Sequence, residues 1–102
     1  MRYFPIFVDL EGRDVVIVGG GEKALQKLRL LAKTSAHLKI VAPDVSEDIA
    51  TTGVPNLTIK LHSFVESDLD SAALVFAASD DPVLDVRVAA AARARGLPVN
   101  VV

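Results

Sequence analysis

The sequence predicts an α/β domain, a largely parallel sheet with helices wound over both faces. Three observations predict it. Short apolar, β-branched runs alternate along the 102 residues with segments of helical periodicity. Val15–Val18 and Leu74–Ala78 are apolar throughout and Val99–Val102 nearly so, which is the pattern of parallel strands covered on both faces. A glycine triplet, Gly19-Gly20-Gly21, separates the first apolar run from the first helical pattern.

Taken in order, Tyr3–Leu10 reads as an extended segment closed by the turn Glu11-Gly12-Arg13. Val15–Val18 is the first strand. Ala24, Leu25, Leu28, Leu31 and Ala32 then recur at helical spacing and leave Lys23, Lys27, Arg29 and Lys33 for the outer surface. Leu38–Ala42 and Leu57–Leu61 alternate more, which suggests strands nearer a sheet edge. Between them, Asp44–Ala50 reads as a short helix followed by the turn-like Thr-Thr-Gly-Val-Pro-Asn. Glu66–Asp70 supports at most one helical turn before the strand Leu74–Ala78. The last helix is bounded on both sides: Asp81 caps it, Pro82 suits its first turn, and Gly96 with Pro98 end it ahead of Val99–Val102. Right-handed crossovers give the strand order 3-2-1-4-5, with ligands expected at the carboxyl ends near the switch point. No linker divides residues 1–102, so one Rossmann-like domain is expected.

Composition narrows the function. Half of the chain is hydrophobic and the formal net charge is −2, so a general attraction to nucleic acid or to an anionic membrane is not expected. With no cysteine there are no disulfides and no thiolate metal ligands, which fits a reducing cytoplasm. The apolar runs are too short to span a bilayer, and the opening MRYFPIFVDLEG carries acids where a signal peptide would not.

Gly19-Gly20-Gly21-Glu22-Lys23-Ala24 fits G-x-G-x-x-A, directly after an apolar strand and at the mouth of a helix. In such a loop Gly19 makes the tight turn, Gly21 lets a pyrophosphate approach the backbone, and Ala24 lets helix and strand pack closely. The helix N-terminus then offers N–H donors and a partial positive charge to the anion. A glycine-rich turn without ligand is the bland alternative. At the second strand tip, Val41-Ala42-Pro43-Asp44, the acid that usually meets the ribose is displaced past a proline. Either Asp44 reaches back or backbone groups around Ala42–Asp44 hold the adenosine. No arginine follows at once for a 2′-phosphate, which favours NAD over NADP.

Other residues read more plainly. Asp81 before Pro82 is a helix cap, while Asp80 divides evenly between capping and a role in the crevice. His37 and His62 have no partner at metal-ligand spacing, so no metal site is expected. Ser79 lacks a nucleophile-elbow context. The lysine-rich helix face reads as solvated, with Lys23 beside the glycines as the exception.

Several stretches together resemble one family. YFPIFVDLEGRDVVIVGGGEKALQK is similar to the start of the siroheme synthase family's NAD-binding domain, the precorrin-2 dehydrogenase/sirohydrochlorin ferrochelatase module. The likeness continues through KIVAPDVS and DLDSAALVFAASDDPVLDVRVAAAARARG into PVNVV, and so covers essentially the whole chain. The resemblance implies oxidation of precorrin-2 to sirohydrochlorin with NAD accepting a hydride, and in some members iron insertion. It implies that Gly19, Gly20, Gly21, Glu22 and Lys23 bind the pyrophosphate and that Ala42, Pro43 and Asp44 bind the adenosine ribose. Ala78, Ser79 and Asp80 fall near the ribose–nicotinamide end, with Asn100 and Val101 near the nicotinamide. The tetrapyrrole substrate and a homodimer are implied for the full-length protein.

In the family the NVV strand runs into an aspartate that is the main acid–base candidate, followed by dimerisation and helical segments. These 102 residues end at Val102, so they look like the cofactor half of the enzyme, without the catalytic residue and inactive alone. Ser35 stands where the family usually has glycine, and serine would be strained if that position needs a positive φ. Asp85 replaces a common asparagine, a change expected to be of no consequence. The alternative function is a non-catalytic dinucleotide-sensing module, against which the Val-Ala-Pro tip argues.

Overall fold

The computed structural model describes residues 13–102. Along them run β1 (Asp14–Val18), α1 (Glu22–Leu31), β2 (His37–Ala42), α2 (Glu47–Ala50), β3 (Leu57–Leu61), a single 3-10 turn (Glu66–Leu69), β4 (Ala72–Ala77), α3 (Pro82–Ala94) and β5 (Val99–Val101). The extended segment expected over Tyr3–Leu10 lies outside the described residues.

The five strands form one parallel sheet in the order β3-β2-β1-β4-β5, the order that the alternation of strands and helices predicts. Successive side chains of a strand point to opposite faces. Val15 and Ile17 therefore join Leu25, Leu28 and Ile40 under α1, while Val16 and Val18 join Val41, Val75 and Val88 under α3. Both faces are covered, which is why the β1 run is apolar at every position after Asp14. Each buried aliphatic side chain contributes roughly 1.5–3 kcal/mol relative to exposure.

α1 buries Ala24, Leu25, Leu28 and Leu31 as its spacing predicts. Ala32, expected on the same face, is the C-cap and is exposed. The helix then stops without a left-handed residue. The Thr34 hydroxyl donates to the Leu31 carbonyl (2.7 Å) and accepts from the Ala36 N–H (3.2 Å). Among the described residues only Asp80 combines a side chain with a positive φ, so Ser35 carries no such strain. α3 ends at Gly96, where the Leu97 N–H returns to the Ala92 carbonyl (2.9 Å).

Two strands have apolar patterns that their places in the sheet qualify. β2 lies one strand in from the edge, with β1 and β3 paired to its two sides. Its alternation comes from Lys39, whose ammonium donates to the Asp68 carbonyl (2.8 Å) and lies 3.9 Å from the buried Asp68 carboxylate. A charge with that partner can sit in an interior strand. β5 is an edge strand paired only with β4, so Asn100 and Val101 are exposed despite the apolar run around them.

Candidate functional site

The order in which strands join the sheet reverses between β1 and β4, and the crevice opens there, at the carboxyl ends of the strands. The three glycines at its floor do different work. Gly19 has φ +148°, and a Cβ on it would lie 2.0 Å from the Ala78 carbonyl oxygen. Its N–H donates to the Val41 carbonyl (3.0 Å). A Cβ on Gly20 would lie 2.0 Å from the Asp44 carbonyl oxygen, and the Gly20 carbonyl accepts from the Ser46 N–H (2.8 Å). These two glycines therefore join the turn to the tips of β4 and β2. A Cβ on Gly21 would meet only the Asp80 carboxylate, at 3.4 Å.

Gly21 is also the N-cap of α1, and it has no side chain with which to cap. The other two helices differ. Ser46 Oγ accepts from the Ile49 N–H (3.3 Å) at α2, and Asp81 Oδ1 accepts from the Val83 N–H (3.0 Å) at α3. The capping role expected of Asp81 is thus present. Only α1 presents a first turn whose N–H groups receive no side-chain cap, and it presents them beside the crevice.

Three distant stretches line one cavity of about 510 Å³. Gly19, Gly20 and Gly21 come from the first turn, Ala42, Pro43 and Asp44 from the β2 tip, and Ser79 and Asp80 from the β4 tip. The remaining sequence-named residues stand elsewhere. Glu22 and Lys23 lie on the exposed first turn of α1, and Lys23 reaches the rim through an ion pair with Asp80 (3.2 Å). Ala78 is buried beneath Gly19. Asn100 and Val101 sit on the edge strand and do not line the cavity.

A family model described as "Putative NAD(P)-binding" matches residues 6–102. The chain belongs to this NAD(P)-binding family. Over its whole length it is 44% identical to the siroheme synthase of Ectopseudomonas mendocina and 47% identical to that of Pseudomonas entomophila. It spans 22% of the length of each of these relatives. A solved structure, "SirC, precorrin-2 dehydrogenase", superposes with a TM-score of 0.72 at 26% identity, covering 96% of this chain and 48% of that one. No helix among the described residues is long and apolar enough to cross a membrane.

In this NAD(P)-binding domain, several cavity residues escape a sequence reading. Ser63 and Phe64 come from the loop after β3, and Val83, Leu84 and Arg87 from the first turns of α3. Arg87 donates to the Phe64 carbonyl (2.6 Å) and its guanidinium stacks 5.4 Å from the centroid of the Phe64 ring. It is the one cation among the lining residues, against Asp44, Asp80 and Asp81. The spacing of Val83, Leu84 and Arg87 along one helical face was the available signal.

Asp85, set aside on sequence grounds, positions the β4 tip. It is 5% exposed, and its Oδ1 accepts from both the Ser79 N–H (3.1 Å) and the Ser79 hydroxyl (2.6 Å). The Ser79 hydroxyl in turn accepts from the Asp81 N–H (3.1 Å). Asparagine also offers a side-chain oxygen, which explains why either residue suits the position.

Proposed function

We propose that residues 1–102 are the NAD-binding domain of a precorrin-2 dehydrogenase, which oxidises precorrin-2 to sirohydrochlorin in siroheme biosynthesis. The observation that carries this is Gly21: a glycine without steric need inside the protein, facing a cavity and starting the one α-helix among the described residues without a side-chain cap. That cradle suits a diphosphate, whose charge is favoured by the helix dipole and whose oxygens need a bare backbone to approach. The cavity volume falls within the usual ligand-site range of about 300–1,000 Å³.

In this reading Gly19, Gly20 and Gly21, with the first turn at Glu22 and Lys23, hold the diphosphate. Ala42, Pro43 and Asp44 hold the adenosine ribose. Ser79 and Asp80, above Ala78, flank the nicotinamide ribose, and Asn100 and Val101 lie toward the nicotinamide end. Bound NAD supplies a hydride acceptor; the chain binds and orients it. The tetrapyrrole substrate and a homodimer belong to the full-length enzyme, which works in the cytoplasm without nucleic acid or membrane.

NAD is preferred over NADP because the lining carries three carboxylates and one cation, and that cation is already bonded to the Phe64 carbonyl. Titration calorimetry with NAD, NADH and NADP tests the reading. Binding of NAD at least about tenfold tighter than NADP, a difference of about 1.4 kcal/mol, is expected. No binding of any dinucleotide at millimolar concentration by the folded chain overturns it.

A further inference from the structure

Asp80 has three features that dinucleotide binding as proposed does not require. It holds φ +65°, the only left-handed non-glycine conformation among the described residues. Its Oδ2 lies 3.4 Å from the Cβ position of Gly21, directly over the bare face of that residue. Its Oδ1 pairs with the Lys23 ammonium at 3.2 Å, bridging the crevice to the first turn of α1. The neighbours on either side are anchored, Ser79 to Asp85 and Asp81 to the start of α3. The carboxylate between them is thus held out over the glycine by a backbone fixed at both ends.

An uncapped helix N-terminus beside a lysine attracts anions, and here the protein's own carboxylate stands beside it, paired with that lysine and without a hydrogen bond to the α1 amides. We infer that Asp80 is a resident stand-in for the diphosphate, and that a dinucleotide binds by exchange, taking over Lys23 as the Asp80 side chain swings outward. This rests on the reading that Gly19–Gly21 receive the diphosphate. Both partners are about half exposed, 46% for the Lys23 side chain and 55% for that of Asp80, so the exchange needs only side-chain rotation. Lys23 keeps an anionic partner before and after. Asp80 thereby sets the affinity of the site: it lowers it, and it keeps stray small anions from filling the cradle.

The exchange is tested by NADH and NADPH titration of the wild-type chain, Asp80→Asn, Asp80→Gly and Lys23→Met, at low and high salt. Asparagine removes the charge and tolerates the left-handed backbone, and glycine adopts it freely. Both variants are expected to bind NADH about fivefold tighter than wild type, the upper end for half-exposed charge pairs, with the gain shrinking as salt rises. Lys23→Met is expected to bind more weakly, and adding Asp80→Asn to it restores less than the substitution gains alone. A purely structural Asp80 would change the melting temperature without a salt-dependent gain in affinity. Unchanged or weaker NADH binding by both Asp80 variants, with wild type still binding, overturns the exchange and leaves the dinucleotide site standing. Absence of binding by every chain overturns the site, and the exchange with it.

Discussion

Replacing the three glycines with alanine one at a time separates the residues that hold the turn from the one that faces the ligand. At Gly19 the new Cβ would stand 2.0 Å from the Ala78 carbonyl oxygen, where contacts under 3.0 Å essentially never occur. That oxygen is backbone in the strand–helix connection and cannot turn aside. The left-handed φ adds about 1–2 kcal/mol. Together with an overpacking cost of about 1–3 kcal/mol, Gly19→Ala is expected to destabilise by about 2–5 kcal/mol. Gly20→Ala lacks the conformational penalty but makes a contact as short, with the Asp44 carbonyl, so about 1–3 kcal/mol is expected. At Gly21 the φ is −107° and the nearest atom, 3.4 Å away, is the movable end of a side chain. Loss of a tolerated glycine cap costs about 1 kcal/mol, and a stiffer unfolded chain offsets about 0.4–1 kcal/mol of it. Gly21→Ala should therefore melt within about 5 °C of wild type, whereas the other two fall by roughly 5 °C or more or fail to fold. Its methyl group would still stand between a phosphate and the amides of α1, so NADH affinity is expected to drop more than about tenfold. Circular dichroism melts and NADH titration on the same samples read both effects. Wild-type affinity in Gly21→Ala, or destabilisation equal to that of Gly20→Ala, would refute the division of labour.

Asp85→Ala strips the Ser79 N–H and hydroxyl of their shared acceptor and is expected to lose about 2–3 kcal/mol in urea unfolding, with weaker NADH binding. Asp85→Asn should lose less than about 1 kcal/mol, and equal damage from both changes would show that charge rather than the acceptor matters. At the opposite end of the sheet, burial acts to raise the Asp14 carboxyl, but the Ser71 hydroxyl, the His37 ring and the Lys39 charge outweigh it and hold it below its usual 3.8. A carboxylate lowered in the folded state adds stability that is complete above its unfolded value and is lost as pH falls through the folded one. Stability measured by urea unfolding is therefore expected to decline below about pH 4, and Asp14→Asn to be less stable than wild type at neutral pH and to converge with it in acid. A constant gap between the two down to the acid limit contradicts this.

Much of the architecture was legible because its signals are local. The unbroken Val15–Val18 run records a strand covered twice, and Asp81, Pro82 and Gly96 mark where a helix must start and stop. The glycine loop was legible for the same reason, as a run of small residues between a strand and a helix. Other features were not. The reason for a lysine within β2 could not be read, because the partner of Lys39, Asp68, is 29 residues away. Arg87 drew no reading from the sequence because Phe64, which it covers, is 23 residues back. Asp85 looked interchangeable because a hydrogen-bond acceptor shows its importance only once its donors are in place.

By itself, then, the sequence determined the succession of strands and helices, the strand order and the place where an anion could meet bare backbone. Periodicity, caps and small residues act within a turn or two of chain, so they can be read without coordinates. The tertiary structure decided that Gly19 and Gly20 serve the turn while Gly21 faces the cavity, and that Asp80 stands over Gly21. Each of these depends on distances between atoms that only the packed sheet brings together, such as Gly20 with Asp44 and Gly19 with Ala78.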